Sequence, residues 1–211
     1  MRRQNGKRCS QRGFTLIEGI IAIVIMGVAM VTLTSFLFPQ VERSATPYYQ
    51  ARASALANAF MTEILARKFD HNSDDNGGRS RCDDTVHPDL PAVIPLSCST
   101  ALGPDTIGTV SESRTQLNDV DDYIGCWSGS NRSCAEGGRS NISDVIGKEI
   151  AQPYSNFMVM VAVFYDPDFN NTPATASQIQ NKANRLHKRI NLTIDAGRYG
   201  SYQFSAYRSN Y

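Results

Sequence analysis

One apolar segment near the N-terminus limits what this 211-residue chain can fold into. From Phe14 to Phe38 the chain carries no Lys or Arg for 25 residues, and Gly19 to Val31 has no polar side chain. A helix of this length is ~37 Å long, which is enough to cross a hydrocarbon core of ~30 Å. The sequence therefore predicts one membrane-spanning helix, residues 14–38.

The charges before this segment predict its direction in the membrane. Five basic residues and no acid precede it, at Arg2, Arg3, Lys7, Arg8 and Arg12. Because basic flanks stay in the cytoplasm, we expect the N-terminus there and the rest of the chain across the inner membrane. A cleaved secretory signal needs a shorter apolar region followed closely by its cleavage site, so this segment favours an anchor.

The composition excludes several classes of protein. The chain has 21 Lys and Arg against 20 Asp and Glu, and it lacks the basic excess of a nucleic-acid-binding protein. A basic run at Lys182, Arg185, Lys188 and Arg189 is typical of a solvated face. Catalytic motifs do not occur, and His71, His87 and His187 are scattered. We therefore expect a protein that is not an enzyme and has no nucleic-acid partner.

Glu18 is unusual because it lies inside the apolar segment. A carboxylate costs ~2.5 to 3.5 kcal/mol at the centre of a bilayer, and less near its edge, so it should have a partner. If the chain were cut after Gly13, the new amino group of Phe14 would lie about one helical turn from Glu18. The two charges would then neutralise each other.

The order Gly13-Phe14-Thr15-Leu16-Ile17-Glu18, after a basic leader and before a long apolar helix, resembles the type IV prepilin signal. The resemblance implies that residues 1–13 are a leader, that a prepilin peptidase cuts after Gly13, and that Phe14 becomes N-methylated. It also implies that Glu18 guides the registration of subunits in a filament.

The same resemblance implies the partners of the chain. They are other major and minor pilins, the prepilin peptidase and an inner-membrane assembly platform. The chain would be cargo of this machinery, because it has no phosphate-binding loop of its own. Loss of the leader removes five of the 21 basic residues and leaves 16 against 20 acids, a net charge of -4.

Periodicity after the membrane segment predicts that the helix continues as a spine. In residues 39–69, Ala53, Leu56, Phe60 and Ile64 recur at spacings of three or four, which indicates an amphipathic helix. Pro39 and Pro47 predict a bend or a break in this region.

The remaining residues, 70–211, predict a globular head. Residues 70–118 are rich in Asp, Asn, Gly and Pro and indicate loop with short strands. Residues 157–165, 190–194 and 202–207 are β-rich and predict three antiparallel strands against the helix. The fold class is therefore α+β, and the resemblance implies the type IV pilin fold, with disulfide-tied loops at 70–135 and strands at 156–207.

Several short blocks of the head resemble minor pilins of mannose-sensitive haemagglutinin (MSHA) pili. They are Lys68-Phe69-Asp70, Gly77 to Cys82, Leu102 to Asp105, Asn118 to Tyr123 and Tyr207 to Tyr211. This resemblance implies a subunit that primes assembly or lies at the tip of a pilus used in surface attachment. Two alternatives are a pseudopilin of a type II secretion system and a tip adhesin that binds through Trp127 or the acidic loops. For Trp127 itself, beside Cys126, we favour packing over a disulfide to a binding function.

Four cysteines lie in the exported part, at Cys82, Cys98, Cys126 and Cys134, whereas Cys9 lies in the leader. An even number in an oxidising compartment predicts two disulfides. Four cysteines allow three connectivities, of which we favour Cys82 with Cys98 and Cys126 with Cys134 because both loops are short. A zinc site would need closer Cys spacing and a nearby His.

Two acidic clusters suggest calcium as the one candidate cofactor. The first contains Asp70, Asn72, Asp74, Asp75 and Asn76, and the second contains Asp166, Asp168, Asn170 and Asn171. Hard cations prefer such oxygen ligands, but neither cluster completes an EF-hand. The alternative is that these side chains form Asx turns at the ends of a helix and a strand.

Overall fold

The computed structural model describes residues 13, 15–74, 81–85, 95–107, 110–112, 116–135, 138–142 and 154–210. Contacts between Cα atoms divide the chain into two units, Met1–Ala45 and Thr46–Tyr211. One long helix, α1, runs from Leu16 to Leu65 and contributes residues to both units.

The first part of α1 is an apolar helix whose residues are exposed or half-buried. Leu16–Phe38, 23 residues, is long and apolar enough to cross a membrane. Thr32, Thr34 and Ser35 donate their hydroxyls to carbonyl oxygens one turn earlier, at distances between 2.7 and 3.0 Å. These bonds satisfy the three hydroxyl groups without water, as a hydrocarbon environment requires.

The predicted break at the prolines does not occur. The backbone stays helical through Pro39 and Pro47. A proline removes one amide donor from a helix, but the hydrogen bonds before and after it remain, so a long helix can continue past it.

The second part of α1 carries the apolar stripe on which the head packs. Ala53, Leu56, Phe60 and Ile64 are each at most 1% exposed. They share one core cluster with inward-facing residues of the sheet. The helix ends four residues before the predicted residue 69, and the chain then forms an isolated bridge between Lys68 and Asp119.

A five-stranded sheet forms the centre of the head, in the order β4-β3-β5-β6-β7. Its strands are β3 (Gly125–Ser128), β4 (Gly138–Asn141), β5 (Met158–Tyr165), β6 (His187–Asp195) and β7 (Ser201–Ser209). A separate antiparallel pair, β1 (Thr106–Ile107) with β2 (Val110–Ser111), lies in the loop region. Short helical turns complete the described elements: Asp121–Tyr123, α2 (Ala176–Ile179), Lys182–Arg185 and Gly197–Tyr199.

The predicted α+β class is confirmed, with one difference in the sheet. β5, β6 and β7 pair antiparallel, as predicted. β3 pairs antiparallel with β5 but parallel with β4, so the sheet is mixed. The sequence did not predict β3 and β4, because GCWS and GRSN are short, contain Gly and Ser, and show no alternation.

Trp127 belongs to the core of the head. Its ring is 1% exposed and lies 6.0 Å from the ring of Phe60, centroid to centroid. Its indole nitrogen donates to the carbonyl oxygen of Tyr123 at 3.1 Å. The suggestion of Trp127 as a binding aromatic is therefore wrong, because strand β3 turns this side chain toward α1.

The structure joins Cys82 to Cys98 and Cys126 to Cys134, the pairing favoured from the loop lengths. Cys82 and Cys98 form a small second core with Phe69 and Tyr165. The side-chain amide of Asn210 donates to the carbonyl oxygen of Cys82 at 2.8 Å. The first disulfide therefore connects the loop region both to the sheet and to the C-terminal end of the described chain.

We expect Phe60→Ala to lower the free energy of unfolding of the head by about 3 to 5 kcal/mol, because it leaves a cavity between α1 and Trp127. The near-UV circular dichroism signal, followed during heating, measures this change in stability. Leu96→Ala is the control, since Leu96 is 60% exposed, and it should change stability by about 0.5 kcal/mol or less. Equal losses in the two variants would contradict this account of the core.

Candidate functional site

The N-terminal site begins at Gly13. Gly13 is exposed, and a Cβ atom built on it would meet no atom of the described residues within 4 Å. The described part of the fold therefore does not require glycine at this position. A requirement for glycine would come from another molecule that approaches the backbone closely.

Glu18 lies in the first turn of α1 and is exposed. The helix starts just before it, since the amides of Glu18 and Gly19 donate to the carbonyl oxygen of Thr15 at 3.0 and 3.2 Å. An acid in the first turn is favoured by the helix dipole. Phe14, the residue predicted to be methylated and to neutralise Glu18, lies outside the described residues.

A second feature lies in the head, where Lys188 is completely buried. Its ammonium donates to the carbonyl oxygen of Phe69 at 2.7 Å and to the carboxylate of Asp70 at 3.1 Å, and it also donates to the carboxylate of Asp121. It lies 4.7 Å from the ring centroid of Phe69, which adds a cation–π contact. All three hydrogens of the ammonium therefore have an acceptor.

The acids around Lys188 decide the protonation of this group. Burial lowers the pKa of Lys188, but Asp121, Tyr165 and Asp70 together raise it above its ordinary value. Lys188 is therefore charged at neutral pH. Asp119 lies close to the same group of acids, and burial and the nearby Asp121 raise its pKa to about 8.

The Lys188 network brings together segments that are far apart in the chain. The backbone amide of Gly103 donates to the carboxylate of Asp121 at 3.1 Å. The backbones of Lys68 and Asp119 form an isolated parallel β-bridge. Three of the sequence blocks singled out above, at 68–70, 102–105 and 118–123, thus meet around one buried cation. Sequence reasoning missed this, although Lys188 falls on the inward register of β6 with Ile190, Leu192 and Ile194.

The predicted basic face is wrong for two of its members. Lys188 is buried, and Arg185 is 5% exposed with its guanidinium 2.7 Å from Asp83. Lys182 remains exposed and lies 3.6 Å from the same carboxylate. Lys188 lies on the inward face of β6, which alternates its side chains between two faces of the sheet, whereas Lys182 and Arg185 lie in the helical turn before this strand.

The first predicted calcium cluster contains a buried member, Asp70, that bonds to protein donors. Asp70 accepts hydrogen bonds from the amides of Asn72 and Ser99 as well as from Lys188. Asp74 is exposed, and Asp75 lies outside the described residues. Asp70 is therefore already occupied by protein donors, and calcium at this cluster stays a prediction.

The second acidic cluster forms an Asx-type turn after β5. Asp166 accepts from the amides of Asn170 and Asn171 at 3.1 and 2.9 Å, and from the hydroxyl of Tyr207 at 2.7 Å. Burial raises the pKa of Asp166, but these hydrogen bonds hold it below its ordinary value. Asp168 is exposed.

The histidines occupy separate places in the fold. His71 has its Nδ1 atom 2.7 Å from Asp105. His187 has its Nδ1 atom 2.8 Å from the hydroxyl of Ser209, across the β6–β7 pair. His87 lies outside the described residues.

Comparison with protein families defines the class of the protein. A family model described as the prokaryotic N-terminal methylation motif matches residues 8–34, which include Gly13, Phe14 and Glu18. This motif indicates a type IV prepilin-like protein, and the apolar helix and mixed five-stranded sheet fit the α+β type IV pilin fold. Comparison with curated proteins and with solved structures finds no match.

The matched motif also bears on enzymatic activity, membrane anchoring and processing. It indicates a structural, non-enzymatic protein that is anchored in a membrane. It also implies processing by a prepilin peptidase and a context of pilus assembly.

We expect Lys188→Met to lower the free energy of unfolding by about 3 to 5 kcal/mol, because it leaves Asp70 and Asp121 buried without their cation. Thermal unfolding at pH 7 measures the loss. Lys182→Met is the control, since this side chain is 61% exposed, and it should have little effect.

A triple variant separates the lost charge from lost packing. Adding Asp70→Asn and Asp121→Asn to Lys188→Met removes the two unpaired carboxylates, and it should recover part of the stability. A triple variant less stable than Lys188→Met alone would contradict the proposed charge balance.

Proposed function

We propose that the chain is a minor pilin of an MSHA-like pilus, similar to the D-type subunit of that system. In this proposal a prepilin peptidase removes residues 1–13, Phe14 is methylated, and the subunit enters a filament or its tip. The observation that carries the proposal is the methylation motif at residues 8–34, placed directly on an apolar helix of membrane length.

The apolar helix supports an assembly function. Large apolar side chains of α1, including Ile17, Ile23 and Phe36, are more than 60% exposed. Such a surface is not stable in water and needs either lipid or other apolar helices around it. Lipid covers it in the inner membrane before assembly, and neighbouring pilin helices cover it in the filament.

Glu18 gives the assembly its register. Inside a filament core an uncompensated carboxylate is costly, so it must meet a positive charge. The new α-amino group at Phe14, on its own or a neighbouring subunit, supplies that charge. When the amino group belongs to a neighbouring subunit, a displacement of one turn along the filament would separate the pair, and only this arrangement sets the register.

The head supports the finer assignment through its sequence blocks. The blocks that resemble MSHA minor pilins include Phe69, Asp70, Gly103 and Asp121, which surround or approach Lys188. These blocks therefore meet in the fold. Finding all of them in one chain supports the proposed assignment more strongly than finding any one of them. The buried position of Trp127 removes one of the residues that a tip adhesin was expected to use.

The first test concerns processing. Mass analysis of the protein from pili or membranes should find N-methyl-Phe14 as the first residue. Gly13→Val should block cleavage because the larger side chain keeps the peptidase from the backbone. Gly19→Ala is a matched control, since neither glycine has an atom within 4 Å of its Cβ position. An intact Met1, or a start near Ser54, would contradict the proposal.

The second test concerns Glu18. Glu18→Val should leave cleavage and membrane insertion unchanged but lower the ratio of this subunit in sheared pili to membranes about tenfold or more, since ~1.4 kcal/mol corresponds to tenfold. Thr32→Val is the control, because the hydroxyl of Thr32 bonds only within its own helix. Wild-type incorporation of the Glu18 variant would exclude the charge function proposed here.

A further inference from the structure

Three carboxylates from separate elements converge beside the Lys188 network. Asp105 directly precedes β1, Glu112 directly follows β2, and Asp122 lies in the helical turn 121–123. One oxygen atom from each lies within 4.8 Å of the others. Asp122 is 0% exposed and Glu112 is 8% exposed, so two of the three groups are buried.

In each buried carboxyl group, one oxygen accepts from an amide and the other has no N–H or hydroxyl donor among the described residues. Asp122 Oδ2 accepts from the amides of Asn118 and Asp119 at 2.7 and 3.0 Å, whereas no described N–H or hydroxyl group donates to its Oδ1 atom. Glu112 Oε1 accepts from the side-chain amide of Asn118 at 3.3 Å, whereas no described N–H or hydroxyl group donates to its Oε2 atom. Such buried oxygens are energetically unfavourable unless a proton or a cation binds them.

Three groups already interact with this cluster. The guanidinium of Arg139 donates to the backbone carbonyl oxygen of Asp122 at 3.1 Å. Burial lowers the pKa of Arg139, whereas the carboxylates of Asp122 and Glu112 raise it. His71 has its Nδ1 atom 2.7 Å from Asp105. Burial, the charge of Asp122 and a side-chain hydrogen bond with Asp122 raise the pKa of Glu112, so these two carboxyl groups share a proton when no cation is bound.

We propose that Asp105, Glu112 and Asp122 bind one divalent cation, with calcium as the ion that fits best. Calcium takes six to eight oxygen ligands at about 2.3 to 2.6 Å, so two oxygens on one calcium ion are at most about 5 Å apart. The spacing of these three carboxylates lies inside that limit. Water supplies the ligands that the three side chains do not.

The ion would connect the loop region to the core of the head. It would join the β1–β2 pair, through Asp105 and Glu112, to the turn that carries Asp121 and Asp122. That turn is already held by Lys188. This site shares no residue with the clusters at Asp70–Asn76 and Asp166–Asn171, and it does not depend on the chain being a pilin.

Calcium titration of the full-length protein in detergent micelles, after treatment with EDTA, tests the site. Isothermal titration calorimetry should show about one calcium ion per chain. The thermal midpoint should rise by about 5 to 10 °C when free calcium is 100-fold above its dissociation constant. Terbium should replace calcium and show luminescence on excitation of tyrosine, because Tyr123 is the next residue after Asp122.

Amide variants identify the ligands. Glu112→Gln and Asp122→Asn should each weaken calcium binding at least tenfold, and Glu112→Gln should fold normally in EDTA because it removes one buried anion. Asp74→Asn and Asp168→Asn are the controls, since both carboxylates are exposed and belong to the other clusters. They should bind calcium like the wild-type chain.

Three results would overturn the proposal. The first is no binding by the wild-type chain at millimolar calcium, with Glu112→Gln more stable than wild type, which would mean that the carboxylates share protons instead. The second is unchanged affinity in both Glu112→Gln and Asp122→Asn. The third is loss of binding in Asp74→Asn or Asp168→Asn alone, which would place the ion at another cluster.

Discussion

The exclusion of water from the first part of α1 is the constraint on which this protein depends. Leu16–Phe38 is long and apolar enough to cross a membrane. The hydroxyls of Thr32, Thr34 and Ser35 bond to their own helix and need no water in lipid, whereas the carboxylate of Glu18 needs a charged partner. The same surface can later pack against other apolar helices, and a filament subunit needs both states.

The second part of α1 carries its buried apolar side chains on one face only. Its stripe at Ala53, Leu56, Phe60 and Ile64 is covered by the sheet, with Trp127 against Phe60. One helix therefore supplies an anchor at one end and a core element at the other. The change from an all-round apolar surface to a single stripe is what separates a membrane segment from a helix that packs within a globular head.

The loop region of the head has little regular structure, and specific contacts hold it instead. A disulfide joins Cys82 to Cys98, Lys188 connects Asp70 with Asp121, and Asn210 bonds back to Cys82. These contacts link segments that are 16 to 128 residues apart in the chain. Without these contacts we expect a loop of this length to be disordered, because the entropy cost of ordering its backbone exceeds the stabilisation from burying its few apolar side chains. The proposed cation would serve the same purpose for the β1–β2 pair.

Local sequence patterns are enough to predict the processing signal, the membrane helix, the amphipathic stripe and the three long strands. Each of these depends on local order or on periodicity along a few turns, and such patterns are visible without a fold. Tertiary packing, in contrast, is needed to form the short strands β3 and β4, to bury Trp127 and Lys188, and to bring Asp105, Glu112 and Asp122 together. These features depend on contacts between residues that are far apart in the chain. From sequence alone a charged side chain is predicted to be exposed, because its buried partners come from other segments.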